Sequence, residues 1–136
     1  MSFILPKECE DYRIILGVIP GYYSEEEKNI VKELSEAEII DKISKCQDAI
    51  EDDTGIYVSL VIGTRKCLYK KEWGCPPGGE LVYELSATRN PHFNPDKEKF
   101  KFAVKKLTEL LKSEFQQKTV TMTISESNKL YYFNRG

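Results

Sequence analysis

Apolar residues recur at helical spacing through Asp96–Phe115, and lysines dominate the opposite side. The spacing follows i, i+3, i+4, i+7, which is typical of a helix that buries one face. Asn94 is a residue type that caps helices, and Pro95 suits a first turn. The stretch therefore predicts an amphipathic helix that lies on an apolar sheet. Its apolar positions are Phe100, Ala103, Val104, Leu107, Leu110, Leu111 and Phe115.

A second helix is predicted after Ser35. Ser35 and Glu38 have the spacing of a capping box, and Gly55 is a suitable C-terminal stop for a helix that ends near Asp52. A shorter helix is predicted over Tyr22–Glu33. The apolar face of the longer helix consists of Ile39, Ile40, Ile43, Cys46, Ala49 and Ile50.

Four segments have the composition or alternation of strands. Tyr12–Ile19 is apolar on both faces, which favours a central position in the sheet. Ile56–Tyr69 and Glu80–Thr88 alternate and flank the loop Lys70–Gly79, so they predict a hairpin. Thr119–Ser125 alternates threonines with apolar residues and predicts the fourth strand.

The two ends of the chain are predicted to be simpler. Phe3–Pro6 reads as a loose lead-in to the first strand. Ser127 and Asn128 suit a turn, after which Leu130–Phe133 is expected to pair back as a short edge strand, forming a C-terminal hairpin.

The element order matches a ferredoxin-like split βαβ fold, β-α-β-β-α-β. We expect an α+β fold with an antiparallel sheet, two main helices on one face, a short extra helix and a C-terminal hairpin strand. Residues 1–136 are expected to form one domain, since a chain of this length suits one core. The alternative is another α+β roll with a different strand order.

The charge and the hydropathy of the chain argue against some classes of partner and location. The net charge of −2 argues against nucleic acid as the main partner, because duplex binding relies on cationic contacts to phosphates. The sequence has no apolar run of membrane-spanning length and no secretory signal pattern, so we expect a cytoplasmic protein. Cys67 and Cys75 flank the predicted hairpin loop, and a disulfide between them is a minor alternative to free thiols.

The sheet face opposite the helices is expected to be half apolar and half small and polar. A solvated face is usually more charged, so this composition predicts partial cover, and homodimerisation through the sheet is the preferred version. Cover by local segments, or by a ligand, is the alternative. The expected interface residues are Tyr57, Ser59, Val61, Glu84 and Thr121.

Two loops are candidates for a ligand site. Arg89 and His92 precede the main helix, whose N-terminus favours a phosphate or carboxylate. Trp73, Gly78 and Gly79 lie in the other loop, where backbone amides could hold an anion. The alternative interpretation is structural, with Arg89 paired to a surface acid and the glycines serving only a turn.

We identify no catalytic constellation, no metal-ligand spacing and no cofactor motif. The leading hypothesis is therefore a non-enzymatic binding or interaction protein, for example a phage or mobile-element accessory protein that inhibits a host protein. The alternative is a small-molecule binder or small enzyme acting on an anionic, nucleotide-like ligand near Arg89, His92 and Trp73.

Overall fold

The computed structural model describes residues 2–19 and 34–134, and the side chains from Leu5 onward. It contains four strands, two α-helices and one short 3-10 turn at Lys71–Trp73. In chain order the main elements are β1 (Ser2–Gly17), α1 (Glu36–Thr54), β2 (Val61–Cys67), β3 (Glu80–Thr88), α2 (Lys97–Glu114) and β4 (Thr121–Asn134).

The strands form one sheet in the order β2-β3-β1-β4, and all neighbouring strands are antiparallel. The central strands are therefore β3 and β1, and the edge strands are β2 and β4. This order confirms the predicted ferredoxin-like arrangement and excludes the α+β roll with another strand order.

Strand β1 divides its side chains between the two faces of the sheet. Tyr12, Ile14 and Leu16 are buried in the core, whereas Arg13 is exposed and Ile15 is half-buried on the other face. The division follows from the alternation of side chains along an extended strand. On β3, Tyr83, Leu85 and Ala87 join the same core.

Both helices contribute their apolar faces to this core. Ile39, Ile43, Cys46 and Ile50 of α1 are buried together with five residues of α2. The packing confirms two helices on one side of the sheet. The other side, which we call the open face, carries the remaining side chains of the strands. The α2 residues are Phe100, Ala103, Val104, Leu107 and Leu111.

Capping residues set the points where the two helices begin and where α1 ends. Ser35 and Glu38 form the predicted capping box with two 3.2 Å hydrogen bonds. Gly55 ends α1 at φ 79°, a conformation that glycine adopts without a steric penalty. The cap of α2 is Asp96 and not the predicted Asn94, because the Asp96 carboxylate accepts from the Lys99 amide at 3.1 Å.

The predictions for the chain ends were wrong. Phe3–Pro6 lies within β1 and is not a loose lead-in, and its backbone pairs with the far end of β4. Leu130–Phe133 does not fold back as a hairpin strand, because β4 continues along β1 through an irregularity near Ser127. A bulge thus absorbs the predicted turn without ending the strand.

Two other expectations differ from the structure or fall outside it. The hairpin strand begins at Val61, five residues after the predicted Ile56, so the residues before it are a connection to α1. The short helix predicted over Tyr22–Glu33 lies outside the described residues. Cys67 and Cys75 are free thiols.

Neither α1 nor α2, the two α-helices within residues 2–19 and 34–134, is long and apolar enough to cross a membrane.

Truncation of Leu107 tests the core. Leu107 is fully buried, so Leu107→Ala leaves a cavity beneath the sheet, and we expect a loss of about 2–5 kcal/mol of unfolding free energy. Urea denaturation measures this loss. Lys105→Ala, at an exposed position of the same helix, is the control and should change stability little. Equal effects of the two substitutions would contradict the assigned helix face.

Candidate functional site

The open face is built from cross-strand rows of side chains. One row places Arg13 of β1 between Ser86 of β3 and Thr123 of β4. The next row places Ile15 between Glu84 and Thr121. Opposite side chains on one sheet face lie about 4.5–5.5 Å apart at Cβ, so each row forms a contact set.

Glu84 is the central charge of this face. Its carboxylate lies 3.2 Å from Arg65 Nε and 4.0 Å from Arg13 Nη1, and its side chain is only 22% exposed. The two arginines are more than half exposed. Glu84 therefore orients two guanidinium groups, and that of Arg65 also donates from Nη1 to the Thr64 backbone oxygen at 2.9 Å.

Asp11 is the second carboxylate of the open face, two residues from Arg13 on β1. The Thr88 hydroxyl donates to one carboxylate oxygen, and Asn128 Nδ2 donates to the other at 2.7 Å. Asn128 also donates to the backbone oxygen of Ser125 at 3.2 Å. These contacts fix the direction of the carboxylate at the edge of the sheet face.

A shallow groove of about 440 Å³ lies beside Asp11 and Arg13, and its volume is within the size range of small-molecule sites. Three adjacent strands form its floor, and the side chains that project from them onto the open face are all polar. They comprise one carboxylate, one guanidinium and four hydroxyls, from Asp11, Arg13, Ser86, Thr88, Thr123 and Ser125.

Arg89 and Glu10 form a buried ion pair on the helix side of the same strands. Arg89 Nε donates to Glu10 Oε1 at 2.6 Å and Nη2 donates to Oε2 at 3.0 Å. Arg89 also donates to the backbone oxygens of Asn94 at 2.9 Å and Glu8 at 3.2 Å. The hydrogen bonds from Arg89 hold the pKa of the Glu10 carboxyl below its usual range.

This geometry gives Arg89 a structural partner in place of a ligand. Its planar fork is occupied by Glu10, and its side chain is only 6% exposed. The acid that it pairs with is buried, whereas the structural alternative from the sequence expected an acid at the surface.

The other predicted ligand residues are not brought together. His92 is half-buried with its ring 5.2 Å from that of Tyr132, just beyond β3. Trp73, Gly78 and Gly79 lie before β3, at its opposite end. Ten residues of extended chain separate Gly79 from Arg89, which is roughly 30 Å. The two loops therefore do not form one site.

The loop glycines have conformational roles. Gly78 and Gly79 adopt φ 83° and 89°, and the Gly79 amide donates to the Pro76 oxygen at 3.0 Å. A Cβ on Gly79 would meet Leu68 Cδ2 at 3.0 Å. Trp73 is 75% exposed.

The predicted interface residues divide into two groups. Val61, Glu84 and Thr121 lie on the open face, as the alternation indicated. Tyr57 and Ser59 precede β2 and take no part in its pairing, because the strand begins later than expected. Homodimerisation through this face stays a prediction.

In the part of the chain that the structure describes, the buried tyrosine and cysteine side chains supply no activated nucleophile. Burial raises the pKa of Tyr12 to about 12 and that of Cys46 to about 11, and it also raises the pKa of Cys9. All three stay protonated near neutral pH, where the thiolate would be the reactive form of cysteine. Within residues 2–19 and 34–134, no group of three or more histidine, cysteine, aspartate or glutamate side chains could hold a metal ion.

Comparison with known families decides the class of the protein. A family model described as SAM lyase matches residues 7–134, which is nearly the whole chain. The chain belongs to the SAM lyase family. A search of curated protein sequences finds no match.

Two solved structures share the SAM lyase fold with this chain. One is a phage SAM lyase in complex with S-methyl-5'-thioadenosine, 18% identical, with a TM-score of 0.57 over 93% of this chain and 90% of the other. The second is a phage SAM lyase in the apo state, 16% identical, with a TM-score of 0.53 over 95% and 92% of the two chains. At these identities the likeness concerns the fold.

Membership of the SAM lyase family contradicts the leading sequence hypothesis. A non-enzymatic binding protein that inhibits a host protein was the wrong class, and the alternative of a small enzyme with a nucleotide-like ligand agrees better with the family. The error came from treating the absence of a catalytic motif as a sign of no catalysis.

Asp11 and Asn128 were not among the site residues predicted from the sequence. Asp11 lies one residue before the predicted start of the first strand, and Asn128 was assigned to a turn. Extending the alternation backward from Arg13 would have placed Asp11 on the open face. Nothing in the local sequence indicates that Asn128, on the last strand, contacts it.

The ion pair between Glu10 and Arg89 predicts a specific acid sensitivity. The folded pKa of Glu10 lies below its ordinary value of 4.5, so the pair contributes stability above that value and loses it as pH falls through the lowered pKa. We expect wild type to exceed Glu10→Gln in unfolding free energy at pH 7, with the difference shrinking below about pH 4.5. Urea denaturation across this range measures it.

Glu109→Gln, at an exposed position of α2, is the control and should differ little from wild type at any pH. A difference between wild type and Glu10→Gln that stays constant from pH 7 to pH 3 would contradict the charged state assigned to Glu10.

Proposed function

We propose that this chain cleaves S-adenosylmethionine (SAM) and that the groove on the open face binds it. The family match over residues 7–134 is the observation that carries the proposed activity. The groove supports the location, because it offers both charge signs and several hydroxyls in one place. SAM presents a carboxylate, an ammonium, a sulfonium and a ribose diol, which these groups can bind.

The proposed reaction breaks the bond between the sulfonium sulfur and the γ-carbon of the methionine part. The sulfur keeps the bonding electron pair and leaves as the neutral thioether S-methyl-5'-thioadenosine, the compound bound in one related structure. The γ-carbon accepts an electron pair from the substrate's own carboxylate oxygen, which closes a five-membered lactone. No water enters, as a lyase reaction requires.

The open face favours this closure over removal of a β-proton. Elimination needs a base strong enough for a weakly acidic C–H bond, and Asp11 and Glu84 are carboxylates already held by hydrogen bonds or ion pairs. Closure onto the γ-carbon needs no protein base. It depends on orientation, which is worth several kcal/mol in intramolecular reactions.

Charge changes during the reaction indicate which substrate group each side chain binds. The sulfonium loses its positive charge, so a carboxylate beside the sulfur would stabilise the substrate more than the transition state. The ammonium keeps its charge throughout. We therefore assign Asp11 to the ammonium. We assign Arg13, which Glu84 orients, to the substrate carboxylate; because this carboxylate loses its charge as the lactone closes, Arg13 serves to position the substrate and its charge does not lower the barrier.

The hydroxyls of the groove suit the nucleoside part of SAM. Ser86, Thr123 and Ser125 lie on the two strands that flank β1, and hydroxyls both donate to and accept from a ribose diol. The anionic ligand expected from the sequence corresponds to one part of SAM, its carboxylate, beside two cationic groups.

Turnover of SAM tests the activity. We expect purified protein to convert SAM into S-methyl-5'-thioadenosine and homoserine lactone, separated by liquid chromatography and identified by mass. S-adenosylhomocysteine should not be cleaved, because its sulfur is neutral and would leave as a thiolate. Absence of SAM turnover would overturn the proposed activity, and vinylglycine in place of the lactone would overturn the closure step.

Substitution of Asp11 tests the location. Asp11→Asn removes the charge that binds the ammonium in both substrate and transition state. We expect KM for SAM to rise roughly tenfold to hundredfold, the range for a charged hydrogen bond, with kcat little changed. Asp53→Asn, on the end of α1 on the helix side, is the control and should leave KM unchanged. An unchanged KM in Asp11→Asn would place the substrate elsewhere.

A further inference from the structure

We infer that the buried pair of Glu10 and Arg89 is a positioning device for Asp11, acting through the sheet from its helix side. The inference rests on the proposed function, because it concerns how Asp11 is held for the substrate ammonium. Neither Glu10 nor Arg89 touches the groove, so both act only through their neighbours in the chain.

Chain adjacency connects the two faces. Glu10 and Asp11 are consecutive on β1, and Thr88 and Arg89 are consecutive at the end of β3. The Arg89 amide donates to the Glu10 backbone oxygen at 3.1 Å, immediately beside the pairing of Asp11 with Thr88. On the helix side the two charged side chains bind one another, and on the open side Thr88 binds Asp11. Any relative movement of the two strands here disturbs both contacts together.

On the other side of β1, the Asn128 side chain of β4 contacts the Asp11 carboxylate, but the backbone pairing of β4 with β1 is irregular at this point. The pairing of β1 with β4 shifts between Cys9 and Asp11, since the partner of Cys9 is Asn128 and that of Asp11 is Ser125. One extra residue of β4 therefore lies in the ladder at this point, and Ser127 has φ 62°. A bulge interrupts regular backbone pairing, so beside Asp11 the regular backbone pairing is the one with β3.

The buried pair is suited to this task because of its geometry. Two nitrogens of Arg89 donate to the two carboxylate oxygens of Glu10, and the guanidinium also donates to two backbone oxygens. Together these hydrogen bonds fix the planar guanidinium in one orientation. A lysine at this position keeps the charge but cannot form the fork. Arg89→Lys therefore loosens the end of β3 without leaving Glu10 as an unpaired buried charge.

The effect should appear in KM. Asp11 binds a group whose charge persists in the transition state, so misplacing it weakens substrate and transition state alike. We expect Arg89→Lys to raise KM for SAM by about threefold to tenfold, the range for one weakened hydrogen bond, and to change kcat little. Glu10→Gln, which keeps the shape and an acceptor oxygen, should change KM in the same direction.

A double-mutant cycle with Asp11→Asn distinguishes positioning from general destabilisation. If Arg89 acts through Asp11, Arg89→Lys raises KM in the wild-type background and has little further effect in Asp11→Asn. Gln47→Leu is the matched control, because Gln47 is also buried and donates to Val58 at 2.8 Å, on α1 on the helix side of the sheet. It should lower the melting temperature without raising KM.

The outcomes separate the two proposals. Equal effects of Arg89→Lys in both backgrounds, with SAM turnover intact, would overturn the positioning role alone. An increase in KM from Gln47→Leu that matches its loss of stability would also overturn it. If Arg89→Lys does not fold, the same cycle with Glu10→Gln decides the matter. A wild-type chain that neither binds nor cleaves SAM would overturn both proposals.

Discussion

The pairing of β1 with two strands at once is the constraint on which the rest of the structure depends. Its backbone is hydrogen-bonded to β3 on one side and to β4 on the other, so the register of one pairing limits the other. A slip of one residue would exchange Tyr12, Ile14 and Leu16 with Arg13 and Ile15. The core and the open face would both be lost, and the burial of three large side chains stabilises the observed register.

The alternation of side chains along the strands also separates the residues that pack in the core from the residues that line the groove. Side chains that hold the helices and side chains that line the groove belong to the same strands and differ by one position. A rigid floor of this kind suits a reaction that depends on orientation, because the polar groups inherit their spacing from the ladder. The buried pair of Glu10 and Arg89 lies beside the bulge in β4, one of two irregularities in the pairing of β1 with β4. There an ion pair supplies the order that regular pairing does not.

The sequence supported much of the fold because the local signals agreed with the tertiary packing. The capping box at Ser35, the C-terminal Gly55 and most of the apolar faces of the two helices were predicted correctly, since each depends on residues within one or two turns. Ile40 and Ala49, predicted on the apolar face of α1, are exposed, because they lie at the edge of that face and no other element within the described residues covers them. The predictions failed where a long-range contact overrode a local signal. The residues around Ser127 suit a turn, yet pairing with β1 carries β4 through them as a bulge. Arg89 looked available for an anion because its partner Glu10 lies far away in the sequence.

By itself, the sequence determined the order and type of the elements, the faces of the helices and hence the ferredoxin-like arrangement. These follow from periodicity, which is a property of neighbouring residues. It placed Glu84 and Thr121 on the open face for the same reason. Only the tertiary structure decided that Glu84 lies between Arg13 and Arg65, that Asn128 holds Asp11, and that Glu10 neutralises Arg89. Such contacts join residues far apart in the chain, and their geometry depends on strand register, which no local pattern specifies.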